Sequence, residues 1–331
     1  MVLYLTLCGI ILSLGSAVLG IAIEPIRRDV PNELLSNFTL FSQYAAGCHA
    51  GQDCGHENCL NVTNANITTV ASFNSSSLEA QGVSGFVVVD HSHEIIVLQF
   101  GGTNTCPKFD IDVEFGLIDA SIIANASCPG CEVHRGFWTA WNNTKNVTLP
   151  PVRDAVANYS NYQIVFVGHS LGGALATVGA ADFRAQGHNV TLYSYAAPSV
   201  GNYELSKFIT NQAAGATYRL THSTDVVPRV LYDLSMKVRF LPQYSQLSPE
   251  YWITTPSFVT PNASSIEKIA GINNTAGNLQ YNLSVPPEPD AHNWYIGNMS
   301  VCQTKPFNVS ACCNDTDNTR LVCRALNLTS S

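Results

Sequence analysis

Charge is what this sequence has least of. Asp, Glu, Lys and Arg together make up 12% of its 331 residues, about half of the usual share of roughly 25%. Basic residues are the scarcer sign, 16 against 24 acidic, for a formal net charge of −8. Nucleic-acid-binding domains carry a basic face to meet phosphates, so this balance excludes that class. There is no internal repeat, which excludes a repeat array. No hydrophobic run closes the chain at Leu328-Thr329-Ser330-Ser331, so a GPI anchor is not indicated. With 46% hydrophobic residues, the length suits one enzyme-sized domain with additions rather than a mini-protein.

Cysteine, in contrast, is plentiful. Eleven are present, which points to an oxidising compartment. Residues 2–19 form an apolar run ending in small residues near Ala17 and Gly20, the pattern of a secretory signal peptide over 1–20; a signal anchor is the alternative. Cys8 falls inside this segment, so the mature chain keeps an even number. Arg27-Arg28 follows directly, and two readings stand: cleavage of a short pro-segment over 21–28, or a solvated charge pair. Asn-x-Ser/Thr acceptors are dense, among them Asn37, Asn61, Asn66, Asn74, Asn125, Asn142, Asn146, Asn262, Asn282, Asn298 and Asn314, which fits a secreted glycoprotein. Cys48, His49, Cys54, His56 and Cys59 crowd one loop; out of context they suggest a zinc knuckle, but in a secreted chain disulfides are the better reading, and no metal or cofactor is expected.

From Gly85 the pattern is α/β. GFVVVD (85–90) and EIIVLQF (94–100) flank a polar turn as a hairpin. A Pro-Pro entry precedes a helical segment at 152–160; YQIVFVG (162–168) is a buried strand, and a small-residue helix runs over 171–187. A strand over 190–198, a helix over 202–214 and a strand within 216–225 follow. KVRFLPQY (237–244) and EYWIT (250–254) read as further strands. Alternation of this kind predicts a mostly parallel central sheet with helices on both faces. A long Ser/Asn/Pro-rich stretch then runs to Asp290, and 303–331 reads as a Cys-rich tail.

Gly168-His169-Ser170-Leu171-Gly172 sits between an apolar strand and a helix. That is the context a G-x-S-x-G nucleophile turn requires, in an α/β-hydrolase fold. A serine needs a base, and the base an orienting acid. In this fold class the order along the chain is Ser, then Asp or Glu, then His. Downstream acids include Asp225 and Asp233; His188, His222 and His292 are the downstream histidines. Asp225 lies at a strand's carboxyl end, where ligand-facing loops emerge, and only His292 lies beyond it. Ser170, Asp225 and His292 are thus the expected catalytic residues. The backbone N–H of Leu171, next after the nucleophile, is the first expected oxyanion donor.

These motifs resemble the fungal class 3 lipase family: VFVGHSLGGALA, RLTHSTDVVPRV and AHNWYIG, together with GFVVVDHSHEIIVLQFGGTNT and CPGCEVHRGFWTAW. The family includes triacylglycerol lipases, mono- and diacylglycerol lipases and feruloyl esterases, and the likeness covers roughly Asn37 to Cys302, within a domain drawn over 29–302. The resemblance implies the same triad of Ser170, Asp225 and His292, and it adds Thr103 as the second oxyanion donor. It also implies disulfides Cys48–Cys302, Cys54–Cys59 and Cys128–Cys131, which leaves Cys106, Cys312, Cys313 and Cys323 to form two more pairs. The family's usual Arg before the Gly-Thr pair is Gly101 here, which leaves open what supplies its packing or charge.

A second departure concerns the cover of the site. Phe109, Ile111, Val113 and Phe115 alternate with Asp110, Asp112 and Glu114, a period of two that predicts a poor helical lid face and leans toward the feruloyl-esterase branch. The expected enzyme is a secreted monomer hydrolysing acylglycerol esters at a lipid-water interface without stable membrane insertion. A feruloyl or aryl esterase is the alternative, and a non-catalytic glycosylated surface protein the rival outside the enzyme class.

Overall fold

The structure, a computed structural model, describes residues 28–48, 59–74, 83–123, 128–301, 313, 319–320 and 323–324. The signal peptide, the pro-segment, most of the cysteine-rich loop and most of the tail therefore lie outside the described residues.

In chain order the elements are β1 (Arg28–Asp29), α1 (Asn32–Ala45), α2 (Leu60–Thr63), β2 (Ile67–Phe73), β3 (Gly85–Asp90), β4 (Ile95–Phe100), α3 (Cys106–Val113), β5 (Leu117–Asp119), β6 (Glu132–His134), α4 (Arg135–Asn158), β7 (Gln163–His169), α5 (Leu171–Ala185), β8 (Val190–Tyr195), α6 (Tyr203–Asn211), β9 (Thr217–His222), α7 (Val227–Lys237), β10 (Glu250–Ile253) and β11 (Ile266–Ile269). Nine strands form one sheet in the order β1-β11-β10-β9-β8-β7-β4-β3-β2. Its centre, from β4 through β7, β8 and β9 to β10, is parallel, and the outer pairs are antiparallel. This is the mostly parallel sheet that the alternation of elements predicts.

The period-two rule sorts the core cleanly. Val87, Val89, Ile96, Leu98, Ile164 and Phe166 face one layer, where they meet Phe137 and Trp141 of α4 and Leu175, Val178 and Phe183 of α5. Their neighbours Phe86, Val88, Ile95, Val97, Val165 and Val167 face the other, packed with Phe38, Phe41 and Tyr44 of α1. Both faces being covered explains why these strands read as continuous apolar runs.

Three local expectations are corrected. The helix predicted from 152 begins at Arg135 and runs through Pro150 and Pro151. Its start is fixed by His134, whose Nδ1 accepts the Phe137 N–H at 3.2 Å, the task a Ser or Asp more often performs. The prolines forfeit two helical bonds, on a turn whose residues Asn146 and Pro150 are exposed. Residues 237–244 form no strand: α7 takes Lys237 as its last residue, and the chain then turns toward β10. Residues 106–113, whose alternation predicts a poor helical lid face, form α3. Alternation in eight residues also places Phe109 and Val113 four apart, and both are buried on one side of the helix.

Among the described cysteines, Cys128 is bridged to Cys131 and Cys313 to Cys323. Cys59 is disulfide-bonded and Cys48 is buried; Cys54 and Cys302, the partners implied for them, lie outside the described residues, as do His49, His56 and Cys312. No cluster of His, Cys, Asp and Glu suited to a metal occurs among the described residues, and no helix among them is long and apolar enough to cross a membrane.

Candidate active site

Ser170 occupies the one-residue turn between β7 and α5, at φ 57° and ψ −128°. An L-residue is strained there and persists only where its surroundings over-determine it. Two contacts do so: Ser170 N–H donates to Tyr195 O at 2.9 Å, and Ala174 N–H donates to Ser170 O at 3.1 Å. Close approach completes the turn. A Cβ on Gly172 would lie 2.2 Å from Phe100 O, so only glycine lets the start of α5 press against the end of β4.

Asp225 follows β9 and is fully buried. His292 lies in a loop well beyond β11. The fold brings both to Ser170: His292 Nε2 is 3.0 Å from Ser170 Oγ, and its Nδ1 is 3.1 and 3.0 Å from the two Asp225 carboxylate oxygens. Desolvation would raise the pKa of Asp225, but the charge and hydrogen bond of His292, the Tyr295 hydroxyl and the Val227 N–H outweigh it and hold the carboxyl below its ordinary value. The group therefore stays ionised and fixes the imidazole with its proton on Nδ1 and Nε2 free to accept. Of the remaining downstream candidates, Asp233 pairs with Arg229 at 3.3 Å and His188 stacks on Phe183; neither joins the cluster.

Several supporting residues carry no signal strong enough to find from sequence. Tyr295 OH donates to Asp225 Oδ2 at 2.7 Å, and Asn278 Nδ2 donates to Asp225 O at 2.9 Å. The His222 ring lies between Ala291 O (2.9 Å) and Thr255 O (2.8 Å), anchoring the His292 loop to the sheet. His169, pushed down to about 3 by burial and then by the nearby His292, is neutral and donates from Nε2 to His292 O at 2.8 Å. Tyr295 stands three residues after His292, a spacing that offered a hint; Asn278 had none.

The loop after β4 lies beside Ser170, with the direction of a side chain at Gly102 reaching within 3.7 Å of Ser170 Cβ. Thr103 Oγ1 donates to Asp112 Oδ2 at 2.6 Å. Lys108, one turn earlier on α3, donates from Nζ to Ser84 Oγ at 2.7 Å and to Gly102 O at 3.1 Å. Burial lifts Asp112 to about 7, against the pull of Thr103, His292 and Lys108, and it lowers Lys108 to about 8, against the pull of Asp112. The room beside Gly101 is taken by Ser84 Oγ and Lys108 Nζ, 2.7 and 3.7 Å from where a Cβ would sit. At the rim, Phe258 is 66% exposed and its ring lies 5.2 Å from that of Trp294, two residues past His292.

A serine on a strained strand-to-helix turn, a histidine within hydrogen-bonding reach and a buried ionised aspartate can together perform acyl transfer. Comparison with known proteins agrees. The class 3 lipase model matches residues 97–234. A secreted mono- and diacylglycerol lipase A from Penicillium cyclopium is 34% identical over 304 residues, 88% of this chain and 93% of that protein. A secreted mono- and diacylglycerol lipase 1 from Fusarium solani is 31% identical over 282 residues, 82% of this chain and 79% of its own. The crystal structure of a mono- and diacylglycerol lipase from Aspergillus oryzae superposes with a TM-score of 0.70 at 33% identity, covering 82% of this chain and all of that one. In sequence over most of its length, and in fold, the chain belongs to the class 3 lipase family.

Proposed function

We propose that this lipase hydrolyses acylglycerol esters outside the cell through an acyl-enzyme on Ser170, with mono- and diacylglycerols preferred over triacylglycerols. The observation that carries the mechanism is the chain of contacts from Ser170 Oγ through His292 to Asp225. His292 Nε2 takes the Ser170 proton as Oγ bonds to the ester carbonyl carbon, and the carbonyl π pair moves onto oxygen. The Leu171 N–H and the Thr103 N–H receive that oxyanion, while the Thr103 hydroxyl, whose proton goes to Asp112, fixes the loop beside them. Collapse expels the glyceride alkoxide, which takes the proton from His292. Water, deprotonated by the same histidine, then cleaves the acyl-enzyme to release the fatty acid and restore Ser170.

Substrate class and secretion rest on the names of the Penicillium and Fusarium relatives, which align over most of both chains; the apolar leader and the sequons agree with them. The lean toward a feruloyl esterase rested on the poor helical lid face of the segment over the site; α3 with Phe109 and Val113 buried on one side supports the lipase reading instead. Ser170→Ala should abolish turnover of a soluble p-nitrophenyl ester while the melting temperature stays within a few degrees of the parent; undiminished turnover refutes the assignment. Parallel rates on monoacylglycerol, emulsified long-chain triglyceride and methyl ferulate should fall in that order, and a fastest rate on ferulate overturns the substrate class.

A further inference from the structure

We propose that Lys108 is a positioning residue of the oxyanion hole: from the lid helix its ammonium pins and polarises the Gly102–Thr103 peptide, aiming the Thr103 N–H at the developing oxyanion. The inference rests on the reading of Ser170 and Thr103 given above.

The argument begins with an oddity of burial. Lys108 is 1% exposed, in a chain with few cations. Lysines are rarely buried so completely unless they are paired, because removing the charge from water is costly. A lid that needed only adhesion could use a methionine or leucine at this position. What the ammonium touches identifies its use: Ser84 Oγ at 2.7 Å and Gly102 O at 3.1 Å. That carbonyl oxygen and the Thr103 N–H belong to one planar peptide unit and, in the trans form, point in opposite directions. Holding the oxygen on the α3 side therefore directs the N–H away from α3.

The hold is also electronic. A hydrogen bond from a charged donor is shorter and stronger than a neutral one, and it polarises the amide that accepts it, so that the N–H at the other end becomes a better donor. The next turn of the same helix grips the following residue, with Asp112 accepting from the Thr103 hydroxyl at 2.6 Å. Lys108 and Asp112, at i and i+4, thus clasp the loop by its carbonyl and its side chain. Gly101 permits this: a Cβ there would lie 2.7 Å from Ser84 Oγ, the second anchor of the ammonium.

The test uses the full-length enzyme and two readouts, turnover of p-nitrophenyl butyrate and inhibition by an alkyl trifluoromethyl ketone, which adds to the serine as a tetrahedral oxyanion. Lys108→Met should lower kcat on the order of ten- to a hundredfold, with KM unchanged within about twofold. Inhibition by the ketone should weaken by the same factor as kcat/KM. Lys108→Arg should recover most of both. An effect on KM and melting temperature alone, with kcat and ketone affinity kept, would mark Lys108 as a lid anchor only and overturn the proposal. Should Lys108→Met not fold, Lys108→Gln, a neutral donor, is judged by the same criteria. If Ser170→Ala is inactive while Lys108→Met is unchanged, the Lys108 assignment alone fails; if Ser170→Ala is active, the reading beneath it fails.

Discussion

Asp112 and Asp225 are two carboxylates that both feel His292, and their surroundings drive them in opposite directions. Asp225 has three donors and stays charged. Asp112 has one hydroxyl and a partly desolvated site, and burial raises it to about 7 from an ordinary 3.8. A group bound more tightly to its proton in the folded state favours folding fully below the unfolded value, and that contribution is lost as pH climbs through the folded one. The contribution of Asp112 should therefore fade between roughly pH 4 and pH 8, while the buried neutral His134 and His169, both pushed down to about 3, act in the opposite sense over the lower part of that range. Asp112→Asn should remove the Asp112 component, so that melting temperature plotted against pH has a different slope in the variant. A melting curve as steep in the variant as in the parent would show that the slope arises elsewhere. The G-x-S-x-G motif between strand and helix selected Ser170, the strand-end position Asp225 and chain order His292, because catalytic chemistry restricts residue type and the fold restricts sequence. Tyr295 and Asn278, which hold Asp225, are ordinary residue types whose partner lies far away in sequence, so nothing local announces them.

At the scale of elements, the strands were legible because a sheet covered on both faces demands uninterrupted apolar runs. Helix ends were less so. The start of α4 depends on a histidine cap that no propensity favours, and its two prolines look like a boundary. The lid was misread for a reason that is geometrical: in eight residues, a period of two and an i, i+4 pairing can describe the same side chains. Only contact with the neighbouring layer decides between them, and the burial of Phe109 and Val113 does so. The junction of β7 and α5 leaves no room for a side chain at Gly168 or Gly172. Gly172→Ala would place a methyl group 2.2 Å from Phe100 O, and forcing β4 from α5 should cost at least about 1–3 kcal/mol. The expected result is a lower melting temperature together with loss of turnover, since the Leu171 N–H moves with the helix; wild-type values in both would contradict the packing described.

For the whole molecule, the low charge density has to be offset by some other source of solubility. Sequons at Asn61, Asn142, Asn146 and Asn262 fall on exposed residues, so glycans would stand on the surface where charges are few. Enzymatic removal of Asn-linked sugars from the folded protein should lower its solubility limit without changing kcat on a soluble ester, as read by light scattering and by turnover. Equal solubility before and after would assign the task to the protein surface itself. The four tryptophans are divided in a useful way. Trp138, Trp141 and Trp252 are buried, while Trp294 borders the exposed Phe258 beside His292. A water-borne quencher reaches only that indole, so the protein carries an optical reporter of its own: emission from the rim of the cleft registers whatever arrives there, against a constant background from the interior.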